Sequence, residues 1–80
     1  MDFNLDDLSN GTWHYDGQNM VYFRGDGVED TVLLPESKAA LSVKPRRRYR
    51  SNLKNRRIIK FTDRAIPAGV LVTITLRDAE

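Results

Sequence analysis

The chain has 80 residues, no cysteine, 40% hydrophobic and 30% charged residues, and a formal net charge of +2. A chain this short forms one domain that buries only about 60% of its unfolded surface, so we expect oligomerisation or a bound partner to stabilise it. The composition excludes disulfides and thiolate metal sites, and no apolar stretch of roughly 18 residues or signal-peptide pattern is present, so we expect a cytoplasmic protein without membrane contact.

Residues 1–10 predict a short helix. Met1, Leu5 and Leu8 have helical spacing, and Asn10-Gly11 is a typical stop. A helix of one or two turns does not hold together in water, so we expect its apolar side to dock on this domain or on a neighbour.

Residues 12–43 predict an acidic β half that begins with a hairpin. Asp16-Gly17 favours a two-residue turn that pairs Tyr15 with Gln18 and Trp13 with Met20. This register places Trp13, Tyr15, Met20 and Tyr22 on one face, which we expect to be core, and leaves His14 and Asn19 on the other.

Two further strands are predicted in this half. Thr31–Leu34 is a β-type run that stops at Pro35, and residues 39–43 alternate with apolar side chains at Ala39, Leu41 and Val43. A helix beginning at Pro35 is the alternative.

Residues 58–80 predict the C-terminal strands. Ile58–Phe61 has strand character, and Ile66–Gly69 is a predicted turn. Val70, Val72, Ile74 and Leu76 alternate with polar or outward positions, which is typical of a half-buried strand. The whole pattern predicts a mainly β fold: a small antiparallel β-barrel or sandwich of about six strands, with a short N-terminal helix and a basic projecting loop.

Catalytic and metal chemistry have little support. His14 is the single histidine and has no cysteine or second histidine to complete a tetrahedral metal site. The serines lack an elbow motif, and neighbouring acids such as Asp6-Asp7 point apart. The glycines form no phosphate-binding loop. We therefore expect no enzyme activity, no cofactor, no metal and no small-molecule substrate.

The basic block, residues 44–60, is the candidate functional region, and residues 44–57 are expected to form an arm between two strands. Residues 1–43 carry eight acids and two bases, a net charge of −6, whereas residues 44–80 carry eleven bases and three acids, a net charge of +8. Arginine makes bidentate bonds to phosphate or carboxylate, which lysine does not. The candidate partner-binding or nucleic-acid-binding residues are Lys44, Arg46, Arg47, Arg48, Tyr49, Arg50, Lys54, Arg56, Arg57 and Lys60.

The basic block has two functional interpretations and one in which it binds no partner. It could neutralise nucleic-acid phosphates, with Tyr49 stacking on a base. It could instead contact an acidic surface on a neighbouring subunit, including another copy of this chain. A solvated loop that only keeps the protein soluble is the remaining interpretation, and the density of arginine makes us rank it below the other two.

Thr12–Gln18, followed by Val21–Arg24 and Thr31–Leu34, resembles the first part of small phage neck or head-closure proteins. The resemblance covers less than half of the chain, and the basic block has no counterpart in it. It implies a short β-barrel subunit that forms a ring at the portal of a virion.

Three functions remain open at this point. The first is a non-enzymatic structural subunit of a larger, viral assembly, incorporated into the virion, whose arm contacts neighbouring subunits or DNA. The second is a free-standing module that binds DNA or RNA through the same arginines. The third is a small inhibitor of a host enzyme.

Overall fold

The computed structural model describes residues 3–51 and 57–78, which form a mainly β domain. The described elements are a 3₁₀ helix (Leu5–Asp7) and the strands β1 (Trp13–Tyr15), β2 (Met20–Arg24), β3 (Thr31–Leu33), β4 (Lys38–Lys44), β5 (Tyr49–Ser51), β6 (Ile58–Phe61) and β7 (Leu71–Asp78). None of the described helical residues belongs to a helix long and apolar enough to cross a membrane.

The strands form two antiparallel sheets. The first has the order β1-β2-β7-β4, and the second has the order β3-β6-β5. Each described strand pair is antiparallel, so the predicted mainly β, antiparallel character is confirmed.

Both sheets contribute to a single hydrophobic cluster. Val21 and Phe23 of β2 and Ile59 of β6 are fully buried in it. From β7, the alternating residues Val72, Ile74 and Leu76 enter the same cluster, while the intervening threonines are only half-buried. The alternation read from the sequence of β7 is therefore confirmed, because one face of this strand lies against the core.

The predicted two-residue hairpin between β1 and β2 is wrong. Trp13 pairs with Phe23 and Tyr15 with Val21, a shift of three residues from the predicted register. The Asp16 carboxylate accepts hydrogen bonds from the backbone N–H groups of Gln18 (2.8 Å) and Met20 (3.1 Å), which stabilises a longer turn.

The new register reverses part of the predicted core face. An odd shift moves a strand's side chains to the opposite face of the sheet. Met20 and Tyr22 therefore lie opposite Thr75 and Thr73, on the face away from the core, while Val21 and Phe23 are buried. Tyr15 packs against the core, but Trp13 remains 44% exposed at the edge of the sheet.

The predicted N-terminal helix is reduced to the three-residue 3₁₀ helix. The Asn4 side chain caps it by accepting the Asp6 N–H at 3.0 Å. Leu8 is buried as expected, whereas Met1 lies outside the described residues. The Arg24 side chain of β2 also holds this segment, because it donates to the carbonyls of Leu5 and Leu8.

Residues 38–44 form a strand, so the alternative of a helix beginning at Pro35 is wrong. A register shift between Ala40 and Ser42 opposite β7 interrupts the ladder. Such a bulge places two residues opposite one and changes the side-chain alternation. Val43, opposite Ile74, is therefore buried in the core cluster, and before the bulge Ala40, opposite Leu76, packs against that cluster. Ala39 is buried opposite Arg77, and Leu41, predicted to share one face with Ala39 and Val43, is 59% exposed.

Candidate functional site

The basic block joins the two sheets. It begins at Lys44, the last residue of β4, passes through residues 45–48 into β5, and ends at Lys60 in β6. Its middle is not a simple projecting loop, because Tyr49–Ser51 pairs with β6 in the second sheet. Lys54 and Arg56 lie outside the described residues.

Three open depressions follow one another along this connection. The first, about 530 Å³, is lined by Pro45, Arg46, Arg47, Asp63 and Arg64. The second, about 710 Å³, is lined by Arg46–Arg48, Tyr49, Arg50, Thr62 and Asp63. The third, about 200 Å³, is lined by Thr31, Arg50, Ser51, Ile58 and Lys60. Because neighbouring depressions share lining residues, we treat them as one surface and call it the arginine track.

The geometry of the arginine track follows from the β5–β6 ladder. Tyr49 pairs with Phe61 and Arg50 with Lys60, and Lys60 also pairs with Thr31 of β3. Beyond the ladder, the Thr62 N–H donates to the Arg48 carbonyl at 3.0 Å. Continuing this register places residues 46–48 opposite residues 62–64, which explains why Arg46 and Arg64 line the same depression.

The positive charges of the arginine track are poorly neutralised by the part of the chain that the structure describes. Among the described residues, the ion pairs are Lys38–Asp78 at 2.9 Å and the exposed Lys60–Asp30 pair at 4.0 Å. No described carboxylate lies within 4.0 Å of a basic group of Arg46, Arg47, Arg48, Arg50 or Arg64. Asp63 lines two of the depressions but makes no such pair.

Two of the predicted site residues also have structural roles. Tyr49 is half-buried and packs against the core cluster, although it also lines the middle depression. The Arg57 Nε donates to the Leu34 carbonyl at 3.0 Å, and the Leu34 N–H donates to the Arg57 carbonyl at 2.6 Å. Arg57 therefore helps to hold the end of β3.

The predicted site residue Lys44 lies apart from the arginine track. It is exposed at the end of β4 and lines none of the three depressions. The sequence-predicted residues that do line it are Arg46, Arg47, Arg48, Tyr49, Arg50 and Lys60.

Arg64 is a residue of the arginine track that the sequence analysis did not include. It lies outside the basic block, directly after the bend at Thr62 and Asp63, and is not part of a charge run. Only the pairing of β5 with β6 brings this bend beside Arg46 and Arg47. One sequence signal could have revealed Arg64 as part of the site. The β-type run Ile58–Phe61 suggests a strand, and pairing it with a strand inside the basic block would have placed Arg64 near Arg46.

His14 lies outside the arginine track, on the opposite face of β1 from the core. Its ring stacks on Phe3 with a centroid distance of 3.7 Å and an interplanar angle of 7°. Tyr22, the pairing partner of His14, lies next to the same Phe3 ring, with a centroid distance of 6.5 Å. These contacts hold the N-terminal segment against the first sheet.

The shifted pKa values belong to turns and to one surface pair. Hydrogen bonds from the backbone N–H groups of Glu29 and Val28 lower the pKa of Asp26, and the Gln18 N–H is the main cause of the lowered pKa of Asp16. The Lys38–Asp78 hydrogen bond raises the pKa of Lys38 and lowers that of Asp78. Each charged form is thus favoured by a local partner, as expected for structural groups.

No protein-family model, curated protein or solved structure matches the chain. The functional conclusion therefore depends on the chemistry of the arginine track.

Proposed function

We propose that the chain is a non-enzymatic structural and interaction subunit of a larger assembly, which contacts neighbouring subunits or DNA through the arginine track. The observation that carries the proposal is the lack of described carboxylates within ion-pair distance of the five arginines in the track. Clustered like charges repel one another, so this surface is most stable against an anionic partner.

Other surfaces support the assembly role. Phe3, Trp13, Leu33 and Leu41 are large apolar side chains with exposures between 40% and 59%, and they do not line the track. Exposed apolar side chains and open sheet edges are common places for protein contacts.

We also propose that the two sheets pack as a small sandwich. The resemblance to phage neck proteins extends the proposal to a ring-forming virion subunit.

Sizing chromatography with light scattering, without nucleic acid, tests the assembly role. We expect a mass above the 9.2 kDa of one chain at low salt, and dissociation at high salt if the track holds the subunits together. The variant R46S/R47S/R48S should lose contact with neighbouring subunits or with added DNA. The proposal is wrong if the variant, shown by circular dichroism to be folded, keeps both contacts.

A further inference from the structure

The arginine track differs from a typical protein–protein interface in its chemistry. Such interfaces have an apolar centre with aromatic side chains and a polar rim. None of the five exposed large hydrophobic residues, Phe3, Trp13, Val28, Leu33 and Leu41, lines the track. Its described cations are Arg46, Arg47, Arg48, Arg50, Lys60 and Arg64.

The cations form an extended row, which fits a linear anion better than a compact one. Arg50 and Lys60 pair across β5 and β6, and Arg46–Arg48 continue from β5 towards Arg64. The five residues from Arg46 to Arg50 are separated by four steps along the backbone and span at most about 13 Å. This is the axial length of about four phosphates on one strand of B-form DNA, where they are 3.4 Å apart.

Hydroxyl groups lie among the cations. Ser51 lines the depression of Arg50 and Lys60, and Thr62 lines the depression of the arginines. Thr31 also lines the first of these, but its hydroxyl donates to the Asp30 carboxylate at 3.0 Å. Serine and threonine hydroxyls, together with arginine, are the side chains that commonly hydrogen-bond phosphate oxygens. Among the described residues, Asp63 is the one carboxylate that lines the track, and its negative charge would repel such an anion.

We infer that the arginine track binds the sugar–phosphate backbone of a nucleic-acid duplex without reading its sequence. This inference rests on the proposed function and names its anionic partner. The duplex is favoured over a single strand because binding of single strands depends on exposed rings that stack on bases. Tyr49, the aromatic residue that lines the track, is half-buried against the core.

Two variants with equal loss of charge test the inference. R46Q/R48Q removes two exposed arginines of the track that make no ion pair with a described residue. K38Q/R77Q removes two cations near the other end of β4, since Lys38 is about 20 Å along the strand from Lys44. Circular dichroism should first establish that both variants are folded.

Fluorescence anisotropy with a labelled 20-base-pair DNA duplex gives the readout. Wild type and K38Q/R77Q should bind with similar affinity, whereas R46Q/R48Q should bind roughly 10- to 100-fold more weakly near 0.1 M salt. The slope of log K against log salt should become shallower by about 2 in R46Q/R48Q, because two phosphate contacts are lost. Duplexes of unrelated sequence should give the same affinity.

Several outcomes would overturn the inference. They are equal weakening in the two variants, binding of poly-glutamate but not of duplex, and tighter binding of an oligo-dT strand of the same length than of duplex. Salt-sensitive self-association that requires the arginines, without duplex binding, would also overturn it while leaving the assembly role intact. The proposed assembly role and the proposed nucleic-acid partner can therefore be refuted independently of each other.

Discussion

Arg24 connects three separate parts of the chain. Its guanidinium donates to the carbonyls of Leu5, Leu8 and Gly69, each at 2.9 Å. The first two carbonyls belong to the 3₁₀ helix and its C-cap, and the third belongs to the turn before β7. Charge-assisted hydrogen bonds of this kind are stronger than neutral ones, so one side chain on β2 fixes the N-terminal segment and the turn together.

Replacing Arg24 with glutamine should reduce the free energy of unfolding by about 2 kcal/mol or more, because the shorter side chain loses three charge-assisted hydrogen bonds and leaves the part-buried Leu8 carbonyl without its Arg24 donor. Urea denaturation followed by circular dichroism measures this loss. R77Q is the matched control, since Arg77 is exposed on β7 and should cost less than about 0.5 kcal/mol. Equal losses in the two variants would show that the three hydrogen bonds contribute little.

At the scale of elements, the loop after β2 and the turn before β7 are packed backbone to backbone. The Gly25 N–H donates to the Val70 carbonyl at 2.9 Å, and the Gly69 N–H donates to the Gly25 carbonyl at 3.0 Å. A Cβ atom at Gly25 would collide with the Ile66 side chain and with the carbonyl oxygens of Ile66 and Pro67. Glycine is therefore required here by close approach of another chain segment.

Gly25→Ala should destabilise the protein by about 1 to 3 kcal/mol, because the collision involves backbone atoms that cannot move aside easily. Chemical denaturation of the purified variant provides the measurement. Gly17→Ala is a useful comparison, since a Cβ there meets nothing within 4 Å and only the positive φ of 85° is unfavourable. A variant G25A as stable as wild type would mean that the loop and the turn separate without cost.

Sequence patterns predicted the elements whose side chains follow a regular period. β7 was recognisable because Val72, Ile74 and Leu76 alternate without interruption, and β6 because its residues are β-formers. β5 was hidden by its composition, since Tyr49–Ser51 lies inside a charge run. Charged side chains show that one side of such a strand faces solvent, but they do not indicate which strand its backbone pairs with.

The mistakes in register and face had one local and one long-range cause. The hairpin prediction used the Asp16-Gly17 pair and missed that the Asp16 carboxylate also accepts the Met20 N–H. The bulge that exposes Leu41 depends on pairing with β7, more than thirty residues away in sequence. Likewise, the cations of the basic block were visible in the sequence, but the contribution of Arg64 required the tertiary pairing of β5 and β6.

At the scale of the whole molecule, acidic residues are concentrated in the first half of the chain and basic residues in the second half. Folding brings several of the basic residues onto one surface. The acidic residues of the first half include several that hold turns, such as Asp16 and Asp26. The arginines of the second half meet along the connection between the sheets. Arg46 and Arg64 line one depression, so folding brings like charges together there, which is unfavourable at low ionic strength.

Raising sodium chloride from 20 to 200 mM should therefore raise the melting temperature of wild type more than that of R46Q/R48Q. Repulsion of about 0.5 kcal/mol corresponds to about 2 to 4 °C in a domain of this size. Differential scanning fluorimetry of wild type, R46Q/R48Q and K38Q/R77Q makes the comparison. If all three melting temperatures change in parallel, the track is not a site of internal repulsion.

The position of residues 45–48 also has a mechanical consequence. The segment connects β4, which pairs with β7 from Lys38 to Lys44, to β5, for which the described part of the chain has three residues paired with β6. Hydrogen bonds in antiparallel ladders lie perpendicular to the strands, so tension applied along β4 is shared among several bonds. Under such a load, we expect the described β5–β6 ladder to open before the longer β4–β7 ladder.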